Sequence, residues 1–231
     1  MTRVKICGLT REDDALCCVE AGADALGLNF WPGTPRCIDV ATARRIVDAV
    51  GSRVLTVGVF VDASEEQITD IRERTGIVCV QLHGSESPEL VSRFLPHAYK
   101  ALRVRDEASI DEARRFPGEH ILLDAYVAGQ PGGTGHTFNW RLAAAFARER
   151  KVTLAGGLHP GNVAEAIAAV DPFCVDVASG VERSPGVKDP DAVAAFIRAA
   201  RAAGLAQHGS ALQSSPASPI AERPSAAGKS S

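Results

Sequence analysis

Reactive side chains in this chain stand at the ends of short apolar runs. Cys7 closes RVKIC, His83 closes VCVQLH, Arg103 closes AYKALR and Asp124 closes HILLD. A thiol with a glycine directly behind it sits where the chain turns, so it faces a loop and a ligand rather than a packed core. Asp124 follows ILL, where an ionised carboxylate is costly to bury unless a partner or protonation relieves it; that is the condition of a general acid. Arg36 follows WPGTP, a turn-rich stretch that fixes its backbone and suits a clamp on a ligand carboxylate. His83 reads either as a hydrogen-bonded rim residue or as an imidazole of the site. Two glycine-bearing ends complete the set, AGGLHPGN with Gly156 and Gly157, and ASGVE with Ser179 and Gly180. Backbone amides there are candidates for holding a phosphate, because a Cβ would keep the chain from the phosphate oxygens.

Such residues act together only if the fold gathers them. Eight β-branched runs, at 3–7, 25–30, 54–60, 78–83, 98–103, 120–124, 152–156 and 173–178, alternate with longer Ala-, Arg- and Glu-rich helical stretches. That alternation predicts parallel strands joined by helices. Ser64-Glu65-Glu66-Gln67 is a capping box. Ser87-Pro88, His159-Pro160 and Asp189-Pro190 each place proline at a first helical position, and Thr10 is the expected cap of a helix over 11–21. Eight repeats in a chain of 231 residues favour an α/β fold consisting of a single (β/α)8 TIM barrel over residues 1–205. In such barrels the active site lies at the C-terminal ends of the strands. From 206 to 231 the composition turns to Ser, Ala and Pro with few large apolar residues, which predicts a disordered tail.

Composition narrows the ligand. The net charge of −3 supplies no basic field for nucleic acid. No apolar run reaches the ~20 residues of a membrane span, and charges at the start leave no signal-peptide core, so a cytoplasmic location is expected. Six cysteines (Cys7, Cys17, Cys18, Cys37, Cys79, Cys174) form no C-x-x-C pair, which predicts reduced thiols without disulfide or metal. Of Cys17, Cys18, Cys79 and Cys174 a packing role is expected. GQPGGTGHT at 129–137 fails both nucleotide-binding glycine patterns and reads better as a loop able to close over a substrate beside Asp124. A small-molecule partner and a monomeric state are the expectation.

Taken in order, KICGLT, GADALGLNFWPGTPR, VQLHG, LLDAY…GGTGHTFNW, AGGLHPGNV and DVASGVE…PGVKD resemble the phosphoribosylanthranilate isomerase family of tryptophan biosynthesis, over residues 3 to 203. His136 stands where the family pattern has lysine, and Thr34 where serine is usual. The resemblance implies an Amadori rearrangement of N-(5-phosphoribosyl)anthranilate to 1-(2-carboxyphenylamino)-1-deoxyribulose 5-phosphate, without a cofactor. It implies that Asp124 protonates the furanose oxygen as general acid and that Cys7 abstracts the sugar C2 proton as general base. By the same carry-over Arg36 holds the anthranilate carboxylate, and His83 and Asp176 line the substrate pocket. A thiol acts as base only as thiolate, which needs nearby positive charge. Lys5, two residues before Cys7, either supplies that charge or merely shares the face of its strand.

Two rival readings remain at the level of sequence. The related Amadori isomerase of histidine biosynthesis uses aspartates as acid and base, so Cys7 argues against it. A non-catalytic phosphosugar-binding barrel predicts binding without turnover, and the Cys7 and Asp124 pair argues against that.

Overall fold

Period-two alternation decides which side chains enter the barrel. In the computed structural model, which describes residues 1–124 and 140–213, strand β1 (Arg3–Cys7) sends Val4 and Ile6 into the layer between strands and helices. Lys5 and Cys7, on the opposite face, point inward. The other strands are β2 (Ala25–Asn29), β3 (Leu55–Phe60), β4 (Cys79–Leu82), β5 (Ala98–Arg103), β6 (His120–Asp124), β7 (Lys151–Ala155) and β8 (Cys174–Val177). All eight are parallel and close into one barrel, with β8 paired back to β1. Each falls within a residue or two of its expected bounds. Small and medium inward residues, among them Ala25, Val57, Ala101, Leu122 and Ala155, fill the interior as a separate inner cluster.

Helices α1 (Glu12–Glu20), α2 (Val40–Val50), α3 (Glu65–Thr75), α4 (Pro88–Arg93), α5 (Glu107–Arg115), α6 (Trp140–Ala147), α7 (Val163–Val170) and α8 (Pro190–Gln213) pack around the strands. A two-stranded hairpin, β9 (Glu182–Ser184) with β10 (Val187–Lys188), follows β8. The capping box at Ser64 forms with both reciprocal bonds. Ser87 caps α4 ahead of Pro88, and Asp189 Oδ1 accepts from the amides of Asp191 and Ala192 at the start of α8.

Three local expectations are corrected. Thr10 does not cap α1, whose first flanking residue is Arg11; its hydroxyl instead donates to Gly186 O at 2.6 Å, tying the first loop to the hairpin after β8. Pro160 is not the first residue of a helix, because α7 begins at Val163. Asn162 Oδ1 accepts from the His159 amide and holds 159–162 as a turn. The helical chain also continues past 205, to Gln213. Gln207 there donates to the carbonyls of Ile167 and Ala168, both at 3.0 Å, so residues 206–213 belong to the helix rather than to a tail. The expected tail over 214–231 and the closing loop at 129–137, with His136, lie outside the described residues.

Beneath the loop after β4, Lys100 is buried. Its ammonium donates to Leu82 O (3.2 Å), Gly84 O (2.6 Å), Ala101 O (3.1 Å) and Glu86 Oε2 (3.0 Å). Glu86 in turn accepts the amides of Asp62 and Gly84. A buried charge pair satisfied on this scale holds the chain on both sides of His83. Lys100→Met strands the Glu86 carboxylate and is expected to cost about 3–5 kcal/mol in urea unfolding. Gln207→Ala is expected to cost about 1–2 kcal/mol in the same measurement, the worth of two ordinary hydrogen bonds; an unchanged midpoint would show that α8 frays before Gln207 in solution.

Candidate active site

A cavity of about 340 Å³ opens at the C-terminal ends of the strands. Cys7, Arg36, His83, Asp124 and Asp176 all line it, together with Gly156, Gly157 and Ser179. Residues more than a hundred positions apart are thus neighbours, because each terminates, or nearly terminates, a strand of the same barrel. A second cavity of about 470 Å³ lies at the opposite mouth, where strands begin. Of its two imidazoles, that of His120 bonds Thr153 Oγ1 at 2.6 Å and is pushed down to about 4 by burial, which leaves it neutral and committed to packing.

Cys7 is almost wholly enclosed. Burial pushes its thiol up; Lys5 opposes that shift, Asp176 adds to it, and Lys188 and a bond from Lys5 pull it back. Lys5 Nζ lies 3.0 Å from Asp176 Oδ2, both side chains buried. Burial alone would lower the Lys5 ammonium, but Asp176 first, then Cys7 and Tyr99, hold it well above its ordinary value. Register explains the pairing, since Lys5 and Asp176 are partners across the β1–β8 closure. Gly27 makes room for it: a Cβ there would lie 2.6 Å from Cys7 Sγ and 3.1 Å from Lys5 Nζ. Asp176 Oδ1 is buried with no hydrogen-bond partner among the described residues, an acceptor open to a ligand hydroxyl or amine. Lys5 therefore does more than share a face with the thiol.

Arg36 is held from behind. Its Nε and Nη2 donate to Glu182 at 2.8 and 2.6 Å, a bidentate pair that fixes the plane of the guanidinium at the cavity wall. These bonds raise Arg36 above its ordinary value. Glu182 would be raised by burial, but the bonds from Arg36 and Lys188 bring it below the usual carboxylate range. Lys188 Nζ donates to Glu182 Oε1 (2.8 Å), Ala178 O (3.1 Å) and Cys7 O (2.6 Å). Gly8, at φ +79°, turns the chain behind Cys7, and a Cβ on it would collide with the aliphatic stem of Arg36.

On the far wall His83 Nε2 stands 3.6 Å from Asp124 Oδ2. Gly156 and Gly157 have φ of +95° and +63°, left-handed backbone that a side chain would strain. Ser179 opens a short 3-10 turn at the cavity. Gly180 packs behind the lining residues, where a Cβ would strike the Leu158 carbonyl oxygen; it lets the loops after β7 and β8 meet. Arg103, Asn29, Trp31 and Gln81 also line the cavity. Gln81 was legible as the residue two before His83 on one strand. Glu182 and Lys188 lie in the DVASGVE…PGVKD stretch, but nothing in their spacing reveals that they meet Arg36 and Cys7.

Among the described residues no group of three or more His, Cys, Asp or Glu is placed to hold a metal ion, and no helix is long and apolar enough to cross a membrane. The six cysteines are unpaired; burial pushes Cys18 and Cys174 up to about 12 and Cys79 to about 11, as suits thiols that pack.

A family model described as N-(5'phosphoribosyl)anthranilate (PRA) isomerase matches residues 4–199. The N-(5'-phosphoribosyl)anthranilate isomerase of Desulforudis audaxviator is 47% identical over 205 residues, covering 88% of this chain and 100% of that protein. The crystal structure of phosphoribosyl anthranilate isomerase from Thermotoga maritima matches with a TM-score of 0.80 at 43% identity, over 87% of this chain and 100% of that one. A further such isomerase, solved in complex with reduced 1-(o-carboxyphenylamino)-1-deoxyribulose 5-phosphate, matches at a TM-score of 0.78 and 41% identity, again over 87% and 100%. The barrel, the composition of its C-terminal mouth and these likenesses agree: the chain belongs to the N-(5'-phosphoribosyl)anthranilate isomerase family.

Proposed function

We propose that this enzyme converts N-(5-phosphoribosyl)anthranilate to 1-(2-carboxyphenylamino)-1-deoxyribulose 5-phosphate in tryptophan biosynthesis. Asp124 acts as general acid and Cys7 as general base. The observation that supports this most directly is that both line one cavity of about 340 Å³, a volume suited to a small phosphorylated aminosugar. Asp124 gives its proton to the furanose oxygen as the C1–O bond breaks, leaving an open-chain Schiff base. The Cys7 thiolate then takes the C2 proton, and the electron pair moves into the C1–C2 bond to form the enolamine, which tautomerises to the ketone. No electrons leave the substrate, so the side chains suffice.

Arg36, its plane set by Glu182, grips the anthranilate carboxylate. Asp176, with one oxygen on Lys5 and the other without a partner among the described residues, accepts from the substrate amine or a sugar hydroxyl, and His83 borders the acid. The phosphate lies against the loops after β7 and β8, with amides of Gly156, Gly157 and Ser179 as its donors and Gly180 letting the two loops close on it. Lys5 is the positive charge that lets a buried thiol ionise.

Turnover assays with the anthranilate substrate and with the histidine-pathway aminoaldose decide the reading. Activity confined to the latter, or binding without turnover, would overturn it. Cys7→Ala and Asp124→Asn are each expected to lower kcat by about 10²–10⁴-fold while circular dichroism and thermal midpoint stay near those of the parent. An unfolded Cys7→Ala with full activity per folded molecule would make the thiol structural.

Lys5→Met removes the cation that opposes burial at Cys7, so the thiol rises further and less thiolate exists at any given pH. The rising limb of kcat/KM against pH is expected to move to higher pH. A limb unmoved in folded enzyme would remove Lys5 from the mechanism.

A further inference from the structure

At the mouth of the barrel, four side chains on or just past three adjacent strands, β4 to β6, form a polar row. The Tyr99 hydroxyl on β5 donates to Gln81 Oε1 on β4 at 3.0 Å. Gln81 Nε2 lies 3.3 Å from His83 Nδ1, and His83 Nε2 lies 3.6 Å from Asp124 Oδ2 at the end of β6. The backbone dictates the row. Gln81 and Tyr99 are register partners across β4 and β5, and Gln81 and His83, two apart, share the inward face.

Each contact has a direction. A carboxamide nitrogen offers only hydrogens and its oxygen only lone pairs. Tyr99 is enclosed and keeps its hydrogen, since burial pushes its hydroxyl well above the ordinary value; because the carboxamide sets Oε1 3.0 Å from that hydroxyl, the hydrogen is donated there. The same orientation leaves the Gln81 nitrogen facing His83 Nδ1. A ring nitrogen that receives a hydrogen bond presents a lone pair, so Nδ1 is bare and the neutral ring holds its proton on Nε2.

We infer that Tyr99 and Gln81 are positioning residues that set the tautomer of His83 so that its Nε2–H faces the carboxylate of Asp124. His83 Nε2 is buried without a hydrogen-bond partner among the described residues, and 3.6 Å is longer than a hydrogen bond. The inference rests on the role of Asp124 as acid. When Asp124 delivers its proton it becomes an anion, and the waiting Nε2–H meets the charge as it forms. An interaction that strengthens from ground state to transition state speeds the step. The other tautomer would set a lone pair against the forming anion and slow it.

Gln81→Glu keeps the shape but replaces the donor with an acceptor, which draws the ring proton to Nδ1. The expected result is a loss in kcat of about 10- to 100-fold, the worth of one hydrogen bond to a charged group, with KM within about twofold. Tyr99→Phe frees the carboxamide to rotate and is expected to give a smaller loss with the same split. Nitrogen-15 spectra of the histidine rings, with His83 identified by its loss in His83→Asn, read the tautomer without reference to turnover. The parent is expected to show Nε2–H and Gln81→Glu Nδ1–H. Nδ1–H in the parent would overturn the inference, as would a switched ring with kcat unchanged. If Gln81→Glu does not fold, the parent spectrum and Tyr99→Phe still decide. Full turnover by Asp124→Asn would instead defeat the assignment of the acid, a failure separate from the state of the ring.

Discussion

The ammonium of Lys188 is the tie on which the mouth of this barrel depends. It reaches the Cys7 carbonyl at the end of the first strand, the Ala178 carbonyl after the eighth, and the carboxylate of Glu182. A buried cation is tolerated only when its donors are met, so this one charge holds the two ends of the barrel closure in register. Glu182 then passes the constraint to Arg36 through two parallel bonds. Thiol, guanidinium and the loop after β8 are in this way parts of one polar network, and Gly8 is the position where the absence of a side chain lets that network close.

The same device recurs with different consequences. Lys100 and Glu86 hold the loop that bears His83 but stand outside the cavity lining, so their work is architectural. Lys5 and Asp176 use the same pairing inside the barrel, next to the thiol. There the pair leaves one carboxylate oxygen without a partner among the described residues and a cation beside a sulfur. Burial is the leading influence at Cys7 as it is at Cys18, Cys79 and Cys174; what sets Cys7 apart is that it lines the cavity and that Lys5 both opposes burial by its charge and bonds the sulfur.

What could be read from residues alone follows from locality. The eight strands were legible because each is a short β-branched run bounded by helix-start chemistry, and the cap at Ser64 because its bonds join residues three apart. The errors lie where a side chain or segment took a partner other than the expected one. Thr10 has the right type and place to cap α1, yet its hydroxyl is taken by Gly186. Pro160 suits a first helical turn, yet Asn162 claims the His159 amide. Leu205 marks a real change in composition, but the preceding alanine-rich stretch lets α8 run on to Gln213, with Gln207 bonded back to α7.

At the site the division is equally physical. Residue type and position at a strand end sufficed to nominate Cys7, Arg36, His83, Asp124 and the paired glycine loops, because a (β/α)8 chain has one place to put its strand ends. Partners were another matter. That Lys5 meets Asp176, that Glu182 grips Arg36, and that Tyr99 faces Gln81 depend on which strands are adjacent and in what register. Register is a property of the closed barrel, set by side chains far apart in the chain, and no local spacing encodes it. The sequence by itself determined which groups are available for chemistry; the tertiary structure decided which charge stands beside each, and so which of them can act.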